Sequence, residues 1–331
     1  MKAWTIKEPG GRDQLIMVDR PIPEPSENEI LIKVEATAVN RTDIITREDQ
    51  SLAEPYPILG VEVSGVVEKE SANFPELTKG TRVAGITDRQ SYAEYVTMDA
   101  GRAMVIPDSM SFVEAAAVPE VFLTAYQTMF WLGQLKPQQT VLIHAAGSGV
   151  GTAAIQLASR KITDANIIAT AGQPHKLEMA KALGAQHVIN YKEEDFSERV
   201  LEITDGRGAD VILDFVGASY FEKNLKSIAV DGRWVVIGTL GGFEIENFDL
   251  RNMLGKRISL LGTLLTPRSK EYKAELSQEF AKRIMPFFEE DIIQPIIHSV
   301  LSFEDLPEAH RQMEANENTG KIVIDVGDSL D

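Results

Sequence analysis

The sequence predicts a two-domain α/β chain: a β-rich domain, then a doubly wound parallel sheet, with the β-rich texture returning at the tail. Three observations predict it. The chain has 331 residues, beyond the roughly 250–300 at which a single hydrophobic core stops growing. Its first hundred residues hold short apolar strands punctuated by Pro and Gly, whereas the stretch after Glu120 alternates strands with helices. A small-residue turn at Ala146–Gly151 then joins a strand to a helix. By texture the β-rich domain covers 1–119 and 266–331, and the parallel-sheet domain covers 120–265.

Glu29–Glu35 is a short apolar-rich strand and Val61–Val67 supplies another, with Pro21, Pro23, Pro25, Pro55, Pro57, Gly60, Gly80 and Gly85 as punctuation. Ser91–Val96 alternates as a strand does. Near Glu120 the texture changes, and Val121–Leu132 is an apolar stretch of helical length. Strands are then expected at Thr140–Ala145, Ile167–Ala171, Val188–Ile189, Val211–Val216, Trp234–Gly238 and Ile258–Leu265. Helices are expected at Thr152–Arg160, His175–Leu183 and Phe221–Ile228. Such an alternation makes a doubly wound dinucleotide fold. The tail predicts a helix near Glu304–Ala315 and a strand at Lys321–Val326.

Composition narrows the function. An apolar fraction of 44% with 25% charged residues is ordinary for a globular chain. No apolar run approaches the roughly 18 residues of a membrane span, and Met1–Glu8 lacks an apolar signal core. The expected compartment is the cytoplasm. The formal charge of −17 argues against a nucleic-acid or anionic-membrane partner, because phosphates are repelled at long range. Cysteine is absent, which removes disulfides, thiolate zinc sites and cysteine nucleophiles together.

The turn after the first parallel strand reads Ala146-x-Ser148-x-x-Gly151 where a dinucleotide fingerprint has G-x-G-x-x-G. Small residues let the backbone approach a pyrophosphate, and the helix start offers free N–H groups and a positive dipole end. The bland reading is a tight strand-to-helix connection, which the surrounding strand–helix alternation disfavours. An NAD site usually ends its second strand with an acid for the ribose diol. Here that strand ends Ala169-Thr170-Ala171-Gly172-Gln173, without one. Lys176 follows in the first helical turn and Tyr191 follows the third strand. Lys176 alone reads more commonly as a solvated helix lysine; with the acid missing, it suits the 2′-phosphate of NADPH.

Several segments in order now resemble one family: Ala38-Val39-Asn40-Arg41-Thr42-Asp43, Ile58–Gly65, His144–Gly151, Ala182-Leu183-Gly184-Ala185, Val188-Ile189-Asn190-Tyr191 and Asn318–Val323. They are similar to the zinc-free quinone oxidoreductase branch of the medium-chain dehydrogenase/reductase superfamily. Gly147–Leu157 and Met313–Asn316 resemble its stress-induced, NADPH-dependent group. The resemblance implies a GroES-like catalytic domain and a Rossmann domain, with NADPH as cofactor and a small quinone or conjugated carbonyl as substrate. It also implies a homodimer joined through the edge strand, here Ile258–Leu265, since an exposed apolar edge is a liability unless paired.

Residue by residue, the resemblance puts Asn40 and Thr124 near the nicotinamide and Ser148, Gly149 and Val150 at the pyrophosphate. Gly172, Lys176 and Tyr191 fall around the 2′-phosphate, Gly217, Gly238 and Thr239 at strand ends facing the cofactor, and Leu264 and Asn316 near the cleft. Gly217 and Gly238 read equally as turn glycines, and Thr124 as a buried helix residue. The family often has a pocket tyrosine shortly after its Asn-x-x-Asp segment. Ser51 stands at that position here, with Tyr56 five residues on. Both are candidates for substrate contact or proton donation, and Tyr56 reads equally as a loop aromatic packed beside Pro55 and Pro57.

Zinc-dependent members place a Cys at the Asn40 position and a His at the Val61 position, and both are missing. The five histidines, His144, His175, His187, His298 and His310, show no ligand spacing, and His144 reads as structural. Without a Lewis acid or a visible proton relay, alcohol oxidation is disfavoured. Reduction of a quinone asks less, because the incoming charge is delocalised and water can supply the proton. Two other functions fit the same residues: an NADPH-dependent enal, enone or enoyl-thioester reductase, and a non-catalytic NADPH sensor or crystallin-like protein.

Overall fold

In the computed structural model, residues 1–246 and 248–327 are described, and the chain parts into two units, Met1–Leu123 with Leu265–Asp331, and Thr124–Leu264. The chain starts with an antiparallel pair, β1 (Lys2–Ile6) and β2 (Leu15–Asp19). The longest strand, β3 (Glu29–Val39), follows, and then helix α1 (Arg41–Glu48). After it come β4 (Glu62–Lys69), β5 (Arg82–Ile86), β6 (Tyr95–Asp99) and β7 (Met104–Val105), then α2 (Phe112–Ala116) and α3 (Pro119–Tyr126). The apolar stretch 121–132 is thus helical, but its second half widens to a π-helix over Gln127–Leu132. The strand expected at Ser91–Val96 lies later, because Ser91 and Tyr92 bond back to the Gly60 and Leu59 carbonyls instead of entering the ladder.

The second unit alternates β8 (Thr140–Ile143), α4 (Gly149–Lys161), β9 (Asn166–Ala171), α5 (Pro174–Leu183), β10 (His187–Asn190) and α6 (Phe196–Ile203). It continues with β11 (Ala209–Asp214), α7 (Phe221–Ser227), β12 (Ile228–Val236), α8 (Leu250–Lys256) and β13 (Ser259–Gly262). Among the described residues these strands form a six-stranded parallel sheet in the order β10-β9-β8-β11-β12-β13. This is the Rossmann order, in which each strand end opens onto a loop that can face a ligand. The strands read as continuous apolar runs because both sheet faces are covered: Val141, Leu142, Ile143, Ile167, Ile168, Ile212 and Leu213 are all fully buried.

Beyond the second unit come α9 (Lys270–Glu289), β14 (Ile297–Ser302), α10 (Leu306–Glu314) and β15 (Lys321–Asp325). The expected β-rich tail therefore contains a 20-residue helix. Its signal was available: Leu276, Phe280, Ile284 and Phe288 recur every four residues and are all buried. The first unit's main sheet runs β14-β15-β3-β4-β5-β7, with β6 also paired to β3. With the flanking segments it is the GroES-like arrangement, and β3 sits at its centre.

Candidate functional site

In the first unit the sheet register brings three polar residues side by side. β15 pairs antiparallel to β3 with Ile322 opposite Val39, so Lys321 comes beside Asn40. On the other flank β4 pairs with Val63 opposite Thr37, which leaves Glu62 near the same end of β3. Asn40 ends the strand and begins α1, its N–H donating to the Asp43 carboxylate at 2.8 Å. Asn-x-x-Asp is therefore a helix-start device, an N-cap residue followed by an acid three positions on.

The side chains close on one another. Asn40 Nδ2 donates to Glu62 Oε1 at 2.7 Å, and Lys321 Nζ donates to Asn40 Oδ1, Glu62 Oε1 and the Val39 carbonyl at 2.7, 2.7 and 3.1 Å. Glu62 Oε2 accepts the Glu120 N–H at 2.8 Å, at the first turn of α3. Tyr92 O–H donates to Asp43 Oδ2 at 2.8 Å. Lys321, Glu62, Asp43 and Tyr92 are all buried. One lysine thus stands among three carboxyls. Burial pushes Asp43 up to about 7, against its hydrogen bonds from Tyr92 and Asn40. Burial, reinforced by the negative charge of Glu62, pushes Glu120 up to about 8. Burial raises the Tyr92 phenol far beyond its ordinary range, helped by the Asp43 charge.

In the second unit the site is made of backbone. Ser148 caps α4, accepting the Gly151 N–H at 3.0 Å, while Gly149 and Val150 begin the helix. Their N–H groups are among the four that an α-helix leaves without intrahelical acceptors. A Cβ on Gly151 would lie 2.4 Å from the Ala145 carbonyl oxygen, so only glycine lets the helix start this close to the turn. Ala146 N–H bonds to the Thr170 carbonyl, tying the turn to the end of β9. There a Cβ on Gly147 would strike the Lys176 side chain, and one on Gly172 would strike Tyr191 Oη at 2.7 Å and Lys192 Cε at 2.9 Å. Lys176, Gly172 and Tyr191 thus gather at the ends of β9 and β10. Burial lowers the Lys176 pKa. This cradle of helix N–H groups, glycines and nearby lysines fits a dinucleotide diphosphate.

Below the turn, His144 is buried between Thr170 Oγ1 at 2.9 Å and Asn224 Oδ1 at 2.8 Å. Asp214 accepts from Val216 N, Gly217 N, Asn224 Nδ2 and Trp234 Nε1. Gly217 has φ of +80°, where glycine is favoured, and packs against Gly242 and Thr239. Gly238 donates back to the Asp214 carbonyl. Gly217, Gly238 and Thr239 therefore share one loop system at the ends of β11 and β12.

The remaining sequence candidates are placed as follows. Thr124 is buried on α3, its carbonyl accepting Thr128 Oγ1. Leu264 is 64% exposed just past β13. Asn316 follows α10 and accepts from Arg41 through Oδ1 at 2.7 Å. Ser51 is exposed in a turn, its N–H bonded to Asp49. Tyr56 is half-buried and packs against the first unit's core, its carbonyl accepting Thr5 Oγ1. Neither Ser51 nor Tyr56 has a recorded bond to the Asn40 cluster. Sequence reasoning missed Glu62, Glu120 and Lys321. The signal was a charged residue inside an apolar strand, as in Val61-Glu62-Val63 and Lys321-Ile322-Val323, where full burial without a partner is rare. Among the described residues, no group of three or more His, Cys, Asp or Glu is arranged to hold a metal.

Residues 26–108 match the family model described as an alcohol dehydrogenase GroES-like domain, and 149–282 the model described as a zinc-binding dehydrogenase. Human quinone oxidoreductase is 29% identical over 98% of this chain and 97% of its own. A crystal structure of an NAD-dependent alcohol dehydrogenase is 33% identical with a TM-score of 0.87, covering 99% of this chain and 100% of that one. The Escherichia coli quinone oxidoreductase complexed with NADPH is 26% identical with a TM-score of 0.89, over 98% of this chain and 100% of that one. This chain belongs to the medium-chain dehydrogenase/reductase superfamily, as a quinone-oxidoreductase-like oxidoreductase.

Proposed function

We propose that this protein reduces quinones with NADPH, without a metal. The observation that carries the cofactor reading is the end of β9, where Gly172 replaces the acid expected of an NAD site and Lys176 and Tyr191 lie close by. A 2′-phosphate there meets cations and helix N–H groups and no carboxylate at that strand end. The quinone reading is supported by relatives named as quinone oxidoreductases, one of them complexed with NADPH. When bound, NADPH supplies the hydride. Ser148, Gly149 and Val150 hold the pyrophosphate, Asn40 and Thr124 meet the nicotinamide, and Gly217, Gly238, Thr239, Leu264 and Asn316 shape the remaining walls. Asn40 can orient a ring because both ends of its amide are held, by Glu62 and by Lys321. A homodimer is part of this reading: β13 is the edge of its sheet, and Leu254, Leu260 and Leu264 expose apolar surface around it.

The test is steady-state oxidation of NADPH and NADH with a para-quinone, an ortho-quinone and an α,β-unsaturated ketone, with and without a chelator. Quinones with NADPH are expected to turn over fastest, unaffected by the chelator. A faster enone makes the protein a conjugated-carbonyl reductase instead. NADPH binding with no turnover of any acceptor makes it a sensor or structural protein.

A further inference from the structure

We propose that Glu120 is the proton donor of this reduction, a carboxylic acid that protonates the acceptor after hydride arrives. The inference rests on the quinone-reductase reading above. Its main support is an imbalance in hydrogen bonding. Every other polar member of the cluster is engaged: Asn40 at both ends of its amide, Glu62 through both oxygens, Lys321 through three contacts, and Asp43 by Tyr92 and the Asn40 N–H. The Glu120 backbone is fixed by Glu62, yet among the described residues its carboxyl has no recorded hydrogen bond or ion pair.

The charges facing Glu120 come from four elements: Glu62 on β4, Asp43 on α1, Lys321 on β15 and Lys273 on α9. The two cations are committed elsewhere. Lys321 donates to Val39, Asn40 and Glu62, and Lys273 donates to Asp88 and the Thr266 carbonyl. A partly desolvated carboxyl beside Glu62 and without a cation of its own favours its neutral form. With its pKa near 8, it keeps its proton at pH 7.

Position selects Glu120 over its neighbours. Thr124 lies four residues on along α3, on the same helical face. Asn40 is separated from the Glu120 backbone by the Glu62 carboxylate alone. Asn40 and Thr124 are the two residues that the reading above assigns to the nicotinamide. Tyr92 is fully buried with its proton committed to Asp43, which is itself buried, whereas the Glu120 residue keeps part of its surface exposed. The step balances. Hydride leaves NADPH as NADP⁺ forms, and the two-electron-reduced quinone is left as an anion. The Glu120 O–H bond breaks as a new O–H forms on the hydroquinone, and the carboxylate regains its proton from water.

Wild type, Glu120→Gln and Glu120→Ala should be compared across pH 5–10. For wild type, kcat should hold level at low pH and fall as pH rises through about 8, where the acid form is lost. Glu120→Gln should lower kcat by about 10²-fold, the low end for general acids because water competes, and should abolish that limb. Small carboxylic acids should partly rescue Glu120→Ala. A readout independent of turnover is thermal stability. A carboxyl ionised more easily unfolded than folded makes the folded state lose ground between its two pKa values. The Glu120→Gln midpoint should therefore gain on wild type from about pH 4.5 to 8 and level off above. A Gln variant with wild-type kcat, or one that keeps the high-pH limb, overturns the assignment while leaving the quinone-reductase reading intact. Wild type that turns over no quinone sinks both. If the Gln variant fails to fold, a wild-type kcat that stays flat through pH 8 overturns the assignment by itself.

Discussion

Both units bury polar side chains, but they satisfy them by different means. In the first unit Lys321 and Glu62 form a buried ion pair at 2.7 Å, with Asp43 and Glu120 as extra carboxyls and no second free cation among the groups bonded to them. In the second, Asp214 is met entirely by neutral donors, two backbone N–H groups, an amide and an indole, and His144 is kept neutral by burial. The network of neutral donors around Asp214 ties strand ends together beneath a loop made of backbone N–H groups. The charged one holds more carboxyls than cations, which raises Asp43 and Glu120 toward their protonated forms. A site that binds a cofactor needs only the first property, whereas a site that moves a proton needs the second.

The comparison breaks most visibly at Lys321. Removing one member of a buried ion pair leaves the other desolvated and unpaired, at a cost of about 3–5 kcal/mol. Lys321→Met should therefore lower the unfolding midpoint severely and loosen the Asn40 amide, which loses its Oδ1 donor. The double variant Lys321→Met with Glu62→Gln should recover much of that loss, because Glu62 is then no longer left as a charge without its partner. Urea unfolding of the two variants checks this. Equal losses in the single and double variants would mean that packing, not charge, is what Lys321 supplies.

The contrast also explains what was legible from the sequence. The second unit's site announces itself locally: Ala146–Gly151 is one contiguous turn, and the missing acid after β9 is read within a few residues of Lys176. Most of its strands are apolar runs found within two or three residues of their expected places, whereas β12 starts six residues early, at Ile228, through the polar Asp231-Gly232-Arg233. The first unit's cluster draws on positions 40, 43, 62, 92, 120 and 321, which only the register of β15, β3 and β4 unites. No local spacing encodes that. Helix α6 carries its own signal, an Asp195 cap followed by Phe196, Val200 and Ile203 at helical spacing, whereas an Asp249 cap marks α8. Ser51 and Tyr56 are candidates through the family resemblance alone. Their surroundings, an Asp49 turn and the first unit's core, supply ordinary structural reasons for both.

A smaller effect is expected in the second unit, where the proposed preference for NADPH rests on Lys176. A hydrogen bond to a charged group contributes about 1.5–3 kcal/mol. Lys176→Ala should then weaken NADPH binding by roughly 10- to 150-fold and leave NADH nearly unchanged. Paired titrations of both nucleotides measure it. Equal weakening of both would place Lys176 at the pyrophosphate rather than the 2′-phosphate, a reading its packing on Gly147 also allows.

The smallest expected effect separates the two kinds of glycine in the nucleotide loops. At Gly151 an added Cβ meets the Ala145 backbone 2.4 Å away, and backbone there cannot yield without moving the helix start. At Gly172 the obstacle is side chain: Tyr191 Oη at 2.7 Å and Lys192 Cε at 2.9 Å. Tyr191 is 41% exposed, so its ring can swing outward, and Gly172 has no positive φ for alanine to strain. Gly172→Ala should therefore change stability by no more than about 0.5 kcal/mol, the range of an ordinary surface substitution. It should nevertheless displace the Tyr191 hydroxyl. If that hydroxyl donates to the 2′-phosphate, the loss is one hydrogen bond to a charged group, about 1.5 kcal/mol at the low end because Tyr191 is 41% exposed. NADPH affinity should then fall roughly 10-fold, with NADH unaffected. Tyr191→Phe should match it and add nothing to it, since both remove the same contact. Two effects that multiply in the double variant would instead mean that Gly172 serves the phosphate through its own backbone, and the difference between the units would narrow to side chains against main chain alone.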